Sequence, residues 1–96
     1  MSTSPYLLSF CIPTYNRAEY IGATLDNVIN QANAQCEIVI SDNGSTDETE
    51  SVVMSFLSRF PRLRYFRHER NRGFDRNIDY AVRMARGTYC WTLSDD

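Results

Sequence analysis

The apolar positions of this chain alternate between two periods. "YLLSFCI" (6–12) is a nearly continuous apolar run of strand length, and Pro13, with no N–H to donate, is expected to close it. Ile21, Leu25, Val28 and Ile29 then recur at helical spacing, with Asn16 as the expected N-cap and Glu19 completing a capping box. "EIVI" (37–40) reads as a second strand. Behind the turn residues "SDNGSTD", the stripe Val52, Val53, Phe56, Leu57 and Phe60 predicts a second helix, opened by a Ser45–Glu48 capping box and stopped by Pro61. "LRYF" (63–66) is a third strand. Phe74, Ile78, Ala81, Val82 and Ala85 make the core face of a third helix, with Gly87 as its C-cap, and "TYCWTL" (88–93) is a fourth strand.

Strands that alternate with helices and are apolar almost throughout belong to a parallel sheet covered on both faces. The expected fold is α/β, three-layered and Rossmann-like, with right-handed crossovers and strand order 3-2-1-4. In such open sheets, ligands bind outside the carboxyl ends of the strands, where the chain reverses direction across the sheet.

The four strand ends read "PTYNR" (13–17), "SDNGSTD" (41–47), "RHERNRGFDRN" (67–77) and "SDD" (94–96), so carboxylates, arginines and turn formers are expected along one rim. Each residue there has a structural reading beside a functional one. "PTYN" serves as a strand exit, or Thr14 and Tyr15 face the crevice with the Tyr15 ring free to stack on a base. Asp42 is an Asx-turn residue supporting "NGS", or an acceptor for a base N–H or ribose hydroxyl. Asp47 fits a helix first turn. Arg76 falls in the first turn of the third helix, where a cation opposes the macrodipole, and Asp75 beside it can neutralise it. Asp95 and Asp96 are a solvated end, or a carboxylate pair of the kind that holds magnesium together with substrate phosphates.

Composition narrows the choice. The 96 residues carry a formal net charge of −2, which gives no general attraction for nucleic acid or an anionic membrane. All ten cationic residues are arginines, and seven fall between Arg59 and Arg76, a local patch suited to a compact anionic ligand. No stretch approaches the roughly 18 apolar residues of a membrane span, and the N-terminus lacks the cationic segment of a secretory signal. Cys11, Cys36 and Cys90 have no C-x-x-C spacing, and Cys11 and Cys90 read as core residues of a reducing compartment, so a cytoplasmic location is expected. With His68 the only histidine, a zinc site is disfavoured. A dinucleotide-binding module would need a glycine-rich turn where the chain has "PTYNRA". An arginine-based nucleic-acid binder and a non-catalytic nucleotide-binding module remain as alternatives.

Taken together, "SFCIPTYNRAEYIGATLDNVINQ", "EIVISDNGSTDET" and "RNRGFDRNIDYAVRMARGTYCWTLSDD" resemble, in order and spacing over residues 7–96, the N-terminal part of a glycosyltransferase family 2 enzyme with the GT-A fold. The resemblance implies that residues 1–96 are the nucleotide-sugar-binding part of a larger transferase domain. Pro13, Thr14, Tyr15, Asp42, Arg76 and Asp95 would bind the nucleotide sugar. Asp96 would be a partial ligand for Mg²⁺ or Mn²⁺, the main ligand of the D-x-D element and the catalytic base being expected beyond residue 96. The implied reaction is transfer of a hexosyl or deoxyhexosyl unit from a nucleotide-diphosphate sugar to the hydroxyl of a saccharide or lipid-linked acceptor. Inversion is expected, as is a place in bacterial surface-polysaccharide synthesis at the inner membrane face. By itself the 96-residue chain is expected to be inactive, and self-association through an exposed sheet edge containing Trp91 is expected.

Overall fold

The computed structural model describes residues 5–95. Its elements are β1 (Tyr6–Thr14), α1 (Ala18–Gln31), β2 (Cys36–Asp42), α2 (Thr49–Met54), β3 (Leu63–Arg67), α3 (Phe74–Met84) and β4 (Gly87–Thr92). The strands form one sheet in the order β3-β2-β1-β4, and every pairing is parallel. Fold class and strand order match the pattern read from the apolar runs.

The two-residue period of the strands divides the core. Phe10 and Ile12 of β1 and Ile38 and Ile40 of β2 point to one face, where they meet Ile21, Leu25 and Val28 of α1 and Val53 of α2. Cys11 and Val39 point to the other face and pack on Ala81 of α3. Full burial of each large aliphatic side chain contributes about 1.5–3 kcal/mol, and those of the first cluster are concentrated over β1 and β2. With α1 and α2 on one face and α3 on the other, the chain reverses its direction of travel between β1 and β4. The carboxyl ends of β1 and β4 therefore diverge into different loops, which opens a crevice.

Several local expectations need correcting. Pro13 does not close β1, which continues to Thr14 in register with Asp42 of β2. The Cys11 carbonyl accepts from the Leu93 amide (2.9 Å), and the Thr14 carbonyl accepts from the Asn43 amide (2.9 Å). Alternation thus turns the Pro13 nitrogen toward the β4 side, beyond the last β1–β4 pair at Cys11 and Thr92, where no ladder bond is lost. Pro61 is not the direct stop of α2. The helix ends at Met54, and i→i+3 turns such as Phe56 N–H to Val53 O (3.0 Å) carry Phe56 and Phe60 into the core.

Gly87 opens β4 rather than capping α3, whose C-cap is Ala85. A Cβ at Gly87 would lie 2.6 Å from Ser9 Oγ and 2.8 Å from Ser9 N, so close approach to β1 dictates glycine here. β4 is an edge strand with Tyr89, Cys90 and Trp91 exposed, so Cys90 is not the core residue expected. Trp91 touches the sheet through Phe10, at 5.8 Å between ring centroids, above an apolar groove of about 530 Å³. Cys11 is buried as expected. Desolvation, reinforced by the adjacent Cys90 thiol, pushes its pKa up to about 12, which leaves it an unreactive thiol. No helix among the described residues is long and apolar enough to cross a membrane.

Candidate functional site

At the carboxyl rim the β1 and β4 ends enclose a cleft of about 350 Å³, lined by Pro13, Thr14, Tyr15, Arg17, Asn43, Asn71, Phe74, Asn77, Ser94 and Asp95. The larger groove beneath Trp91 holds no carboxylate or arginine among its lining residues, so the rim cleft is where charged chemistry collects. Thr14 is 2% exposed, and its Oγ1 is the buried side-chain oxygen without a hydrogen-bond partner among the described residues. Such a group is costly to leave unmet, by about 1–3 kcal/mol, and here it borders the cleft.

Asp42 lies under the rim and is fully buried. Its Oδ1 accepts from the Ser45 amide (2.9 Å) and hydroxyl (2.6 Å), and its Oδ2 accepts from the Tyr65 hydroxyl. Burial, together with the hydrogen bond to the Asp42 carboxylate, raises the Tyr65 phenol above its ordinary range and keeps it protonated. Both Asp42 oxygens are thus occupied within the protein, in the Asx-turn geometry that was one of its two readings.

The helix caps are exchanged between loops. Asn16 adopts φ 51°, a left-handed conformation that asparagine tolerates, and does not cap α1, whose N-cap is Arg17. Instead Asn16 Oδ1 accepts from the Thr46 amide (2.7 Å) and its own amide donates to Ser45 Oγ (2.8 Å). Asp47, outside α2, accepts from the Ala18 amide at the start of α1 (3.2 Å) and from the Thr49 amide (3.0 Å). One carboxylate therefore serves two helix N-termini, and the Ser45–Glu48 capping box is not formed. Slight desolvation pushes the Asp47 carboxyl up, but the bonds from the Thr49 hydroxyl and amide and from Ala18 outweigh it and hold the pKa below 3.8.

Because the folded-state value is the lower one, Asp47's stabilisation is complete above about pH 3.8 and is lost as pH falls through the folded value. Asp47→Asn is expected to be less stable than the parent at pH 7. Chemical denaturation across pH should show the two curves converging below pH 3.8; a constant gap would exclude this role.

A second set of polar contacts fixes the β3–α3 loop. Asn43, 3% exposed, donates through Nδ2 to Asn71 Oδ1 (2.9 Å) and the Gly73 carbonyl (3.2 Å), and its Oδ1 accepts from the Arg72 amide (2.8 Å). Gly73, at φ 94°, then turns the chain into α3. Asn77, also 3% exposed, donates to the Thr14 carbonyl (3.3 Å) and accepts from Ser41 Oγ (2.7 Å). The Ser41 hydroxyl lies 2.9 Å from His68 Nε2. Partial burial, helped by the Arg72 charge, holds His68 below its ordinary pKa despite the nearby Asp42.

Of the expected site residues, the structure brings Pro13, Thr14, Tyr15 and Asp95 together in the cleft. Asp95 pairs with Arg17 at 3.6 Å, and its carbonyl accepts from the Thr24 hydroxyl (3.1 Å). Asp42 sits behind this wall, Arg76 is exposed and outside the cleft lining, and Asp96 lies outside the described residues. The arginine run divides. Arg59 bonds Asp26, Arg62 the Asn33 and Cys36 carbonyls, Arg64 Glu37, and Arg67 the Ser45 carbonyl. Arg70, Arg72 and Arg76 are exposed residues of the β3–α3 loop and the first turn of α3, and none of them lines the cleft. Sequence reasoning missed Asn43, Asn71 and Asn77; the one signal for them was that three asparagines fall on strand-end segments. It missed Phe74 as well, because its spacing reads as core.

Comparison with known proteins agrees with this architecture. Residues 9–96 match the model of Glycosyl transferase family 2. The abequosyltransferase RfbV of Salmonella typhimurium is 46% identical over 94 residues, which is 94% of this chain and 28% of that protein. The structure of TarS 1–349 of S. aureus in complex with UDP-GlcNAc superimposes with a TM-score of 0.88 at 27% identity, covering 94% of this chain and 26% of that one. A mannosyltransferase of Pyrobaculum calidifontis, in complex with GDP-Man and Mn²⁺, gives a TM-score of 0.73 at 31% identity, over 88% of this chain and 25% of its own. The chain thus spans little more than a quarter of the length of these relatives. On the match across nearly all of its length, and on a parallel sheet whose rim cleft gathers the ends of β1 and β4, the chain belongs to glycosyl transferase family 2.

Proposed function

We propose that the rim cleft binds the nucleotide-diphosphate part of a sugar donor, and that the chain is the donor-binding portion of a bacterial glycosyltransferase for surface polysaccharides. The observation that carries this reading is the meeting of Tyr15, Asp95 and a Thr14 hydroxyl without a partner among the described residues in one polar cleft, lined also by Asn71, Phe74 and Asn77 of the segment that carries three exposed arginines. The Tyr15 ring offers a stacking face for a base, Thr14 Oγ1 a donor or acceptor for ribose, and Arg70, Arg72 and Arg76 charge compensation for phosphates. Asp42 acts from behind, by shaping the turn to which Asn16, next to Tyr15, is bonded.

The reaction is a single displacement with inversion. The anomeric carbon bonds to the acceptor oxygen as its bond to the diphosphate oxygen breaks, the electron pair leaves with the nucleoside diphosphate, and a base takes the acceptor's proton. The chain's own residues orient the donor and compensate its charge. The residues suit a divalent cation in one respect: Asp95 places a hard carboxylate oxygen at the cleft, and magnesium or manganese sites of this kind take one or two carboxylates plus substrate phosphates. Among the described residues no group of three or more ligating side chains gathers; Asp96, with Asp95 beside it in the sequence, would hold Mg²⁺ or Mn²⁺ jointly with the donor's phosphates. When bound, the ion supplies Lewis-acid stabilisation of charge on the leaving phosphate.

Titration calorimetry of the chain with UDP, CDP, GDP and ADP, with and without Mn²⁺, tests the reading. Binding of at least one diphosphate, strengthened by Mn²⁺ and weakened by Tyr15→Ala, is the expected result. Absence of binding to all four, or broad salt-sensitive binding to RNA in their place, would overturn it.

A further inference from the structure

Phe74 is the first residue of α3, and its spacing from Ile78 and Ala81 assigns it to the core. It is instead 66% exposed, while the buried residues of its helix are Asn77 and Ala81. It lines the rim cleft, and with Pro13, Ile78 and Leu93 it also lines an adjoining recess of about 220 Å³. Tyr15, 41% exposed, lines the same cleft from the β1–α1 loop.

The backbone that presents this ring is fixed. The buried Asn43 side-chain amide bonds both Asn71 and the Gly73 carbonyl, Asn71 Oδ1 also accepts from the Gly73 amide (2.7 Å), and one turn into α3 Asn77 accepts from the Ser41 hydroxyl and donates to the Thr14 carbonyl. An aromatic ring held at a polar cleft on a clamped turn is pre-organised for a flat partner, since little ordering entropy remains to be lost on contact.

Resting on the donor-binding reading above, we propose that Phe74 is a second aromatic contact for the donor's nucleobase, acting with Tyr15 so that the base meets a π-face from the β1–α1 loop and another from the start of α3. Stacking of this kind tolerates any base, because every base has a π-face. Phe74 would therefore add affinity for the nucleoside part of the donor and none for its phosphates.

Calorimetry of the chain with UDP, CDP, GDP and ADP, and separately with inorganic pyrophosphate, separates the two. Phe74→Ala is expected to weaken binding of the best-bound nucleoside diphosphate by roughly 5- to 150-fold, the range that base–aromatic stacking supplies, with pyrophosphate bound as by the parent. Phe74→Trp should retain affinity. Proton NMR of the unmodified chain gives a readout independent of any variant's folding: the Phe74 ring resonances should shift with the nucleoside diphosphate and not with pyrophosphate. Unchanged affinity in Phe74→Ala together with a loss in Tyr15→Ala would overturn the role of Phe74 and leave the donor site standing. If no nucleoside diphosphate binds the parent chain, both fall.

Discussion

Replacing Glu37 with alanine should cost about 3–5 kcal/mol of folding stability, the range seen when one partner of a buried ion pair is removed. Glu37 is 1% exposed. Its Oε1 accepts from Arg64 Nε (3.2 Å) and Nη2 (3.0 Å), and its Oε2 accepts from the Ser9 hydroxyl (2.6 Å) and the Arg86 amide (2.5 Å). Ser9 Oγ in turn accepts from the Gly87 amide (2.8 Å), and Arg64 also reaches the Met84 carbonyl. A single carboxylate thus joins β1, β2, β3 and the turn between α3 and β4.

Deleting it strands several donors at once and leaves the arginine without its counter-charge. The Arg64 side chain is 24% exposed, so part of its charge can be met by water, which places the expected loss toward the lower end of the range. For a domain of this size, with about 5–15 kcal/mol in total, even that is a large fraction. Urea titration should show the midpoint falling with little change in slope. A loss under about 1 kcal/mol would show that the bonds to Glu37 are individually dispensable.

The second large effect falls on Asp42. Asp42→Ala removes the acceptor for the Ser45 amide, the Ser45 hydroxyl and the Tyr65 hydroxyl, all at or near a buried position. With each unmet buried group costing about 1–3 kcal/mol, a destabilisation of about 3 kcal/mol is expected even if water reaches some of them. Tyr65→Phe removes one of these donors cleanly and should cost about 1 kcal/mol. This pair of variants separates a scaffold role from a ligand role. If Asp42 acts through the turn, the fall in nucleotide affinity of Asp42→Ala should follow its fall in stability, and Asp42→Asn, which keeps an acceptor for Ser45, should recover much of both. Full stability with lost affinity in Asp42→Ala would instead mark Asp42 as a direct ligand.

What could be read from the sequence was what depends on burial along a regular element. β1, β2 and β3 are short apolar runs because both sheet faces are covered, and their order is one of the few that right-handed crossovers leave. What could not be read depends on contacts between loops. Asn16 and Ser45 have the spacing of caps, but the donors they would satisfy are met from elsewhere: by Asp47 for α1, and by Asp47 again ahead of α2. Pro13 resembles a terminator until the ladder shows which side its nitrogen faces. Glu37 reads as the polar lead of a strand, and only pairing with β3 reveals Arg64 beside it. In the cleft, Pro13, Thr14, Tyr15 and Asp95 were visible as strand-end residues, whereas Phe74 was not, because periodicity assigns a face and not the point at which that face runs past the sheet.

The exchange of polar contacts between Asn16, Ser45, Thr46, Asp47 and Ala18 has an outcome for protein engineering. The turns after β1 and after β2 act as a single exchangeable cassette, in which Asp47 of the second meets the N-termini of both helices and Asn16 of the first holds that second turn in place. A chimera that imports residues 43–48 from a relative without residues 15–18 would inherit a mismatched start of α1 and a second turn without its Asn16 contacts, whereas transplanting both segments together keeps the lock intact.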